Sequence, residues 1–181
     1  DVRAINLAVG DPYRLFAGEL SPWARLIDWL QHKYRVLFIV SAGNQLDENL
    51  LLDTAAGGLQ TMTAEQRSAL ATSALCRDDM HRRVMAPAES INALTVGASH
   101  SDASATTPVP GRTVLFADSG LAPYSSIGPG FRRAVKPDFL LPGGRVLYRE
   151  ALQSPPGQTR VHPIRAAHGR SRRAAPDPHR P

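Results

Sequence analysis

The residues of this sequence best placed to do chemistry are Ser41-Ala42-Gly43-Asn44, set directly after the apolar run Val36-Leu37-Phe38-Ile39-Val40. A short run rich in β-branched residues reads as a strand covered on both faces, and in open α/β sheets ligands bind beyond the carboxyl ends of the parallel strands. Glycine at such a point lets the main chain turn sharply or approach a substrate closely. An asparagine carboxamide there can donate a hydrogen bond to an oxygen that becomes negative during acyl transfer. Asn44 is therefore an oxyanion-hole candidate. Gly-Asn is also plain turn chemistry, and spacing alone favours the turn.

Other reactive side chains are less well grouped. Asp47 and Glu48, with Asn49 and Asp53, gather the hard oxygens that calcium takes, but they lack EF-hand spacing, and a solvated acidic loop is the simpler reading. His32, His81 and His100 share no ligand spacing with a carboxylate or thiol and read as surface histidines. Cys76 is the lone cysteine; it can build neither a disulfide framework nor a zinc site, and on a helix it reads as a small buried hydrophobe. No cofactor or metal is implied. His168 and Ser171 lie close together, yet the residues around them include no small apolar set that would bury a helix, so Ser171 reads as a tail serine.

The elements that would hold Asn44 in place are legible on both sides of it. Ala4 to Gly10 is a largely apolar run closed by glycine and followed by Asp11-Pro12, the pattern of a buried strand and a turn. Ser21-Pro22 is a helix start, serine as N-cap and proline in the first turn. Trp23, Leu26, Ile27, Leu30 and Tyr34 then recur at helical spacing and place one apolar stripe on a helix ending near Arg35. Strand, helix and strand in this order predict a βαβ unit with a parallel sheet. Thr63-Ala64-Glu65-Gln66 is a capping-box pattern opening a second helix that runs until just before Pro87. Ala93 to Ala98 and Thr113 to Ala117 are further strand candidates, and Asp118 to Gly144 reads as loop with short extended pieces.

Composition bounds the whole. The 181 residues are 43% hydrophobic and 20% charged, close to a globular average, which excludes fibrous and low-complexity classes. The longest apolar run is far short of the roughly 20 residues of a membrane helix, so no membrane span is expected, and the start has no signal-peptide pattern. The formal charge of +5 sits at one end. Residues 145 to 181 hold eight arginines against Glu150 and Asp177, a net of +6 that leaves −1 on residues 1 to 144. That basic segment is also rich in proline, shows no apolar periodicity, and is expected to be a disordered tail. With Tyr148 its only aromatic residue to stack a base, a nucleic-acid partner is not expected.

Five segments arrive in the order of one family. Ile5-Asn6-Leu7-Ala8-Val9-Gly10 resembles the subtilase strand V-I-N-x-S-x-G, and Ser41-Ala42-Gly43-Asn44 its S-A-G-N oxyanion segment. Ala86-Pro87-Ala88 through Thr95-Val96-Gly97-Ala98 resembles P-A-x-x-x-x-V-I-x-V-G-A. Tyr124-Ser125-Ser126-Ile127-Gly128-Pro129 is similar to F-S-S-x-G-P, and Lys136-Pro137-Asp138 with Leu141-Pro142-Gly143-Gly144 to K-P-D-x-x-A-P-G. The resemblance, to subtilisin-like serine peptidases, spans about residues 4 to 144.

It implies an α/β, parallel-sheet, three-layer sandwich, incomplete here, with residues 1 to 144 as a partial peptidase domain. It implies peptide or protein substrates and an acyl-enzyme mechanism, with Asn44 as the oxyanion donor. Leu7, Ala8, Val9 and Gly10 would line the substrate channel, and Ala42 and Gly43 would border the primary pocket. Ala8 stands where serine is common, which alters pocket polarity without abolishing peptide binding. The triad Asp and His segments precede the first matched strand in subtilases, and the G-T-S-x-A nucleophile segment has no recognisable counterpart after Gly144. The chain alone is thus expected to be inactive, as though frame or chain end changed near that point. The alternative is a non-catalytic peptide- or protein-binding domain with a basic anchor.

Overall fold

In the computed structural model the described residues are 2–45, 49–101, 109–118 and 120–164. They form β1 (Ala4–Leu7), β2 (Asp11–Leu15), α1 (Pro22–Tyr34), β3 (Leu37–Ser41), β4 (Leu50–Leu52), α2 (Ala64–Arg77), β5 (Met85–Ala86), β6 (Leu94–Ser99), β7 (Thr113–Val114), β8 (Phe139–Pro142), β9 (Leu147–Glu150) and β10 (Thr159–Ile164). Strands β1, β3, β6 and β8 make a four-stranded sheet in that order, each pair parallel. The protein is α/β with a parallel sheet, as its sequence pattern predicts.

The helix between β1 and β3 follows from its caps. Ser21 is extended at φ −63° and ψ 155°, its Oγ accepts from the Ala24 amide, and Pro22 opens the first turn. The helix stops where Arg35 turns left-handed at φ 53° and donates its N–H to the Gln31 carbonyl at 3.0 Å. The stripe that α1 buries is the expected one only in part, since Ile27 is buried and Leu30 packs half-buried against the same core. Ala24, Ile27 and Gln31 are buried, whereas Trp23, Leu26 and Tyr34 are exposed. The Gln31 side chain reaches past the helix end to accept from the Phe38 amide at 2.9 Å, which fixes the rotation of α1 against β3.

Register places alternate residues of the parallel sheet on opposite faces. Phe38 and Val40 face α1 and join Ile27, Phe16, Ala42, Val84, Ala88 and Ala93 in one core. On the other face, Leu37, Ile39 and Ser41 stand beside Leu94, Val96 and Ala98, which stand beside Phe139 and Leu141. None of these is fully buried, and Leu37, Phe139 and Leu141 are exposed by 38%, 57% and 58%. Among the described residues β3 is therefore covered on one face, not on both.

A second sheet, ordered β4, β10, β9 and β7, is antiparallel throughout. It packs with α2 over Leu50, Leu52, Leu59, Leu75, Leu115, Phe116, Tyr148 and Val161. This corrects the expected tail. Residues 145–164 are built into the fold, Tyr148 and Val161 being 1% and 0% exposed; residues 165–181, Ser171 among them, lie outside the described residues. Inward Tyr148 and Val161 alternate with outward Arg149 and Arg160, a two-residue period hidden by the prolines and arginines around it.

Smaller differences have local causes. β1 ends at Leu7, and Asp11-Pro12, expected to turn, instead opens β2, which pairs with β5. The capping box at Thr63 and Gln66 is present with both reciprocal bonds. Helix α2 stops at Arg77, well short of Pro87, and a single 3-10 turn at Asp79–Arg82 follows it.

Candidate functional site

Immediately after β3 the main chain is held on every side. The Ala42 amide donates to the Val96 carbonyl at 2.8 Å, and the Ala42 carbonyl accepts from Met85 at 3.0 Å. Its methyl lies in the core, 1% exposed. Gly43 follows at φ +103°, in the left-handed region that favours glycine. A Cβ on Gly43 would stand 2.6 Å from both Cγ and Sδ of Met85. Gly10 packs into the same corner, where an added Cβ would lie 3.4 Å from the Gly43 Cα.

The next strand fragment is stitched to residues 124–126. Asn44 forms an antiparallel bridge with Ser125, the Ser126 amide donates to the Gly43 carbonyl at 3.0 Å, and the Gln45 amide donates to the Tyr124 carbonyl at 2.7 Å. Gln45 is buried and its Nε2 donates to Ser126 Oγ at 2.7 Å. Asn44 itself is exposed. The backbone on both sides is thus fixed, and Asn44 lies between these bonds as an exposed residue.

Asn44 borders a groove of about 410 Å³ at the carboxyl ends of the parallel strands, together with Asn6, Ala8, Ser41, Gly43 and Ser125. Its far wall is closed by Gly143, whose carbonyl accepts from the Tyr124 hydroxyl. An added Cβ on Gly143 would lie 2.6 Å from the Ala98 Cβ, so a side chain there would displace that wall. Ser125 Oγ accepts from the Ala98 amide at 3.0 Å and is 3% exposed. That serine is structural.

Of the sequence-derived set, Ala8, Gly43 and Asn44 come together around this groove. Leu7 is half-buried against the α1 core, Val9 is 45% exposed, Gly10 backs Gly43, and Ala42 is in the core. Asn6 and Ser41 also line the groove and were not singled out, although both lie in the quoted segments. Their signal was adjacency to those motifs.

The remaining candidates are committed elsewhere. His100 is a buried residue, not a surface one: at 0% exposure its Nε2 accepts from the Val146 amide at 2.9 Å, and its ring tilts against Phe116. Cys76 is exposed, because α2 buries Ala71, Ala74 and Leu75 instead. His81 is exposed and paired with Asp78. Asp53 binds Arg77 and Gln158, and hydrogen bonds from Arg77 first and Gln158 second hold its carboxyl below the usual 3.8. Asn49 pairs with His162. Asp47 and Glu48 lie outside the described residues.

The comparison with known families decides the assignment, since a model described as the subtilase family matches residues 1–171. The chain belongs to the subtilase family. It is thereby a member of a family of serine peptidases, hydrolases whose substrates are peptides or proteins. The match runs past Gly144 and through β9 and β10, so the departure expected at residue 144 does not mark the end of the subtilase likeness. A Sinorhizobium fredii (strain NBRC 101917 / NGR234) protein described as "Uncharacterized protein y4bN" is 28% identical over 151 residues, covering 81% of this chain and 32% of that protein. The chain therefore spans about a third of that relative's length. No solved structure gives a significant match. No helix among the described residues of this subtilase is long and apolar enough to cross a membrane.

Proposed function

We propose that this chain carries the oxyanion-hole and substrate-channel side of a serine endopeptidase site, and that the Asp, His and Ser of the triad are not among its residues. In acyl transfer the serine attacks the scissile carbonyl, histidine takes its proton and aspartate orients the imidazole. The carbonyl oxygen then becomes an oxyanion, and the Asn44 carboxamide donates a hydrogen bond to it. That bond is stronger to the anion than to the ground-state carbonyl, so it accelerates the chemical step. Gly43, which lines the groove through its main chain, would border the acyl carbonyl. Ala8 and Val9, exposed and outside the regular ladder, offer an extended substrate a main-chain edge to pair with.

The observation that carries this reading is the exposed Asn44 amide, held by bridged backbone at the rim of the groove. Two measurements test it. The purified 181-residue chain should hydrolyse no fluorogenic peptide; hydrolysis blocked by a serine-directed phosphonate would place a working triad within it and overturn the proposal. In the longer polypeptide that supplies the triad, Asn44→Ala should lower kcat with KM nearly unchanged. The loss expected is on the order of 10² to 10³, the cost of removing the oxyanion asparagine in subtilisin itself. A raised KM at constant kcat would instead assign Asn44 to ground-state binding.

A further inference from the structure

Helix α1 is apolar on the side that faces water as well as on the side that faces the sheet. Leu26 and Trp29 are each 50% exposed, and Trp23 and Tyr34 flank them at 39% and 57%. Isolated exposed hydrophobes are ordinary, but a contiguous set on one helix face marks an interaction surface. Two of the rings touch: Trp29 meets Tyr34 edge to face at 6.1 Å, and Lys33 Nζ lies 4.5 Å from the Trp29 ring centre and 5.2 Å from that of Tyr34.

The charge on this face has one sign. Arg25 and Lys33 are exposed on it, and Arg35 is exposed at the C-cap that ends the helix. The only acid of α1, Asp28, turns away and accepts from Ser90 Oγ at 2.6 Å and from the amides of Ile91 and Asn92 at 3.2 and 2.8 Å. A second copy docking about a twofold axis would set these cations against their own counterparts. A phosphate surface alone would leave Leu26 and Trp23 unused. A convex helix face with Trp, Tyr and Leu among Lys and Arg fits a lipid headgroup boundary, where amphipathic rings and basic side chains are both satisfied.

We propose that the outward face of α1 is a peripheral docking surface for an anionic lipid bilayer. Trp23, Leu26 and Trp29 enter the headgroup region, and Arg25, Lys33 and Arg35 meet lipid phosphates. The chain's two tryptophans are both in this helix, so their emission reports on this face alone. With the full chain and phosphatidylcholine vesicles containing phosphatidylglycerol, the emission should shift to the blue and the protein should co-sediment. Both effects should fade as salt is raised and be absent with phosphatidylcholine alone. Leu26→Ala with Trp29→Ala should cut the bound fraction about tenfold, and Lys33→Gln about fivefold; circular dichroism should be unchanged, since these side chains are exposed. Co-sedimentation that survives the double substitution, or equal binding to uncharged vesicles, would overturn the proposal. A blue shift that grows with protein concentration without lipid would replace the bilayer by a second copy, and the same shift with duplex DNA would replace it by nucleic acid.

Discussion

At the scale of single residues, Gly43 and Asn44 divide the work of the site. In the proposed site Asn44 would supply the donor and Gly43 the conformation that presents it, because φ +103° and the Met85 side chain together exclude a Cβ. Gly43→Ala should therefore destabilise the fold by about 1 to 3 kcal/mol, from backbone strain and overpacking combined. Urea unfolding measures this, and Gly18→Ala is the control: it shares a positive φ but has open space around it, so it should lose only the strain component. Equal losses at the two sites would show that Met85 yields freely. The position of Asn44 after β3 and at the groove was legible in the sequence because its motif is local and follows a strongly apolar strand. Ala42 was misjudged because adjacent residues on an extended segment point to opposite sides, and only the register with β6 decides which is inward.

At the scale of elements, local signals read correctly and sidedness did not. The N-caps at Ser21 and Thr63 depend on residues within three positions of each other, and both formed as the sequence predicts. The stripe on α1 held at Ile27 and Leu30 but not at Trp23, Leu26 and Tyr34, which have the right spacing for burial, because its orientation is set by the non-local Gln31 to Phe38 bond. Ser21 also donates its amide to Glu89 Oε1 at 2.9 Å, linking the helix start to the segment before β6. Ser21→Ala should cost about 1 kcal/mol and Ser21→Gly a few tenths, the difference reporting the Oγ cap; equal thermal midpoints for all three proteins would deny it. Helix α2 carries an acid-sensitive start and end. At its start, the Glu65 carboxyl is held below its ordinary value by a backbone hydrogen bond and by Thr63. Near its end, Arg77 holds Asp53 low. A depressed folded-state pKa contributes stability that is present above the unfolded values of 4.5 and 3.8 and is lost as pH falls through the lower folded values. Urea midpoints should accordingly be flat from neutrality to about pH 5 and fall below about pH 4, and Asp53→Asn should shallow that fall. An unchanged acid limb in Asp53→Asn would remove Asp53 from the account.

At the scale of the whole molecule, two cores share one chain: α1 packs on the parallel sheet that presents the groove, and α2 packs on the antiparallel sheet. The second core could not be read locally, since each of its strands is short and its partner distant. β4 pairs with β10, and β7 with β9, so the terminal strands close a layer begun more than a hundred residues earlier. The cores also meet, because His100, just beyond β6 of the parallel sheet, accepts from Val146 before β9. Ending the chain at Gly144 removes Tyr148 and Val161 and leaves β4 and β7 without partners. Those two side chains alone account for roughly 3–5 and about 1.5–3 kcal/mol, against a total of about 5–15 kcal/mol for an ordinary domain. The shortened chain should lose helical circular dichroism from α2, bind a dye for exposed apolar surface, and melt without a sharp transition. A chain ending at Ile164 keeps every contact described above and should melt with a sharp transition. If the Gly144 truncation kept the same sharp midpoint, β9 and β10 would be appended to the α2 core rather than part of it, and the domain boundary would return to residue 144.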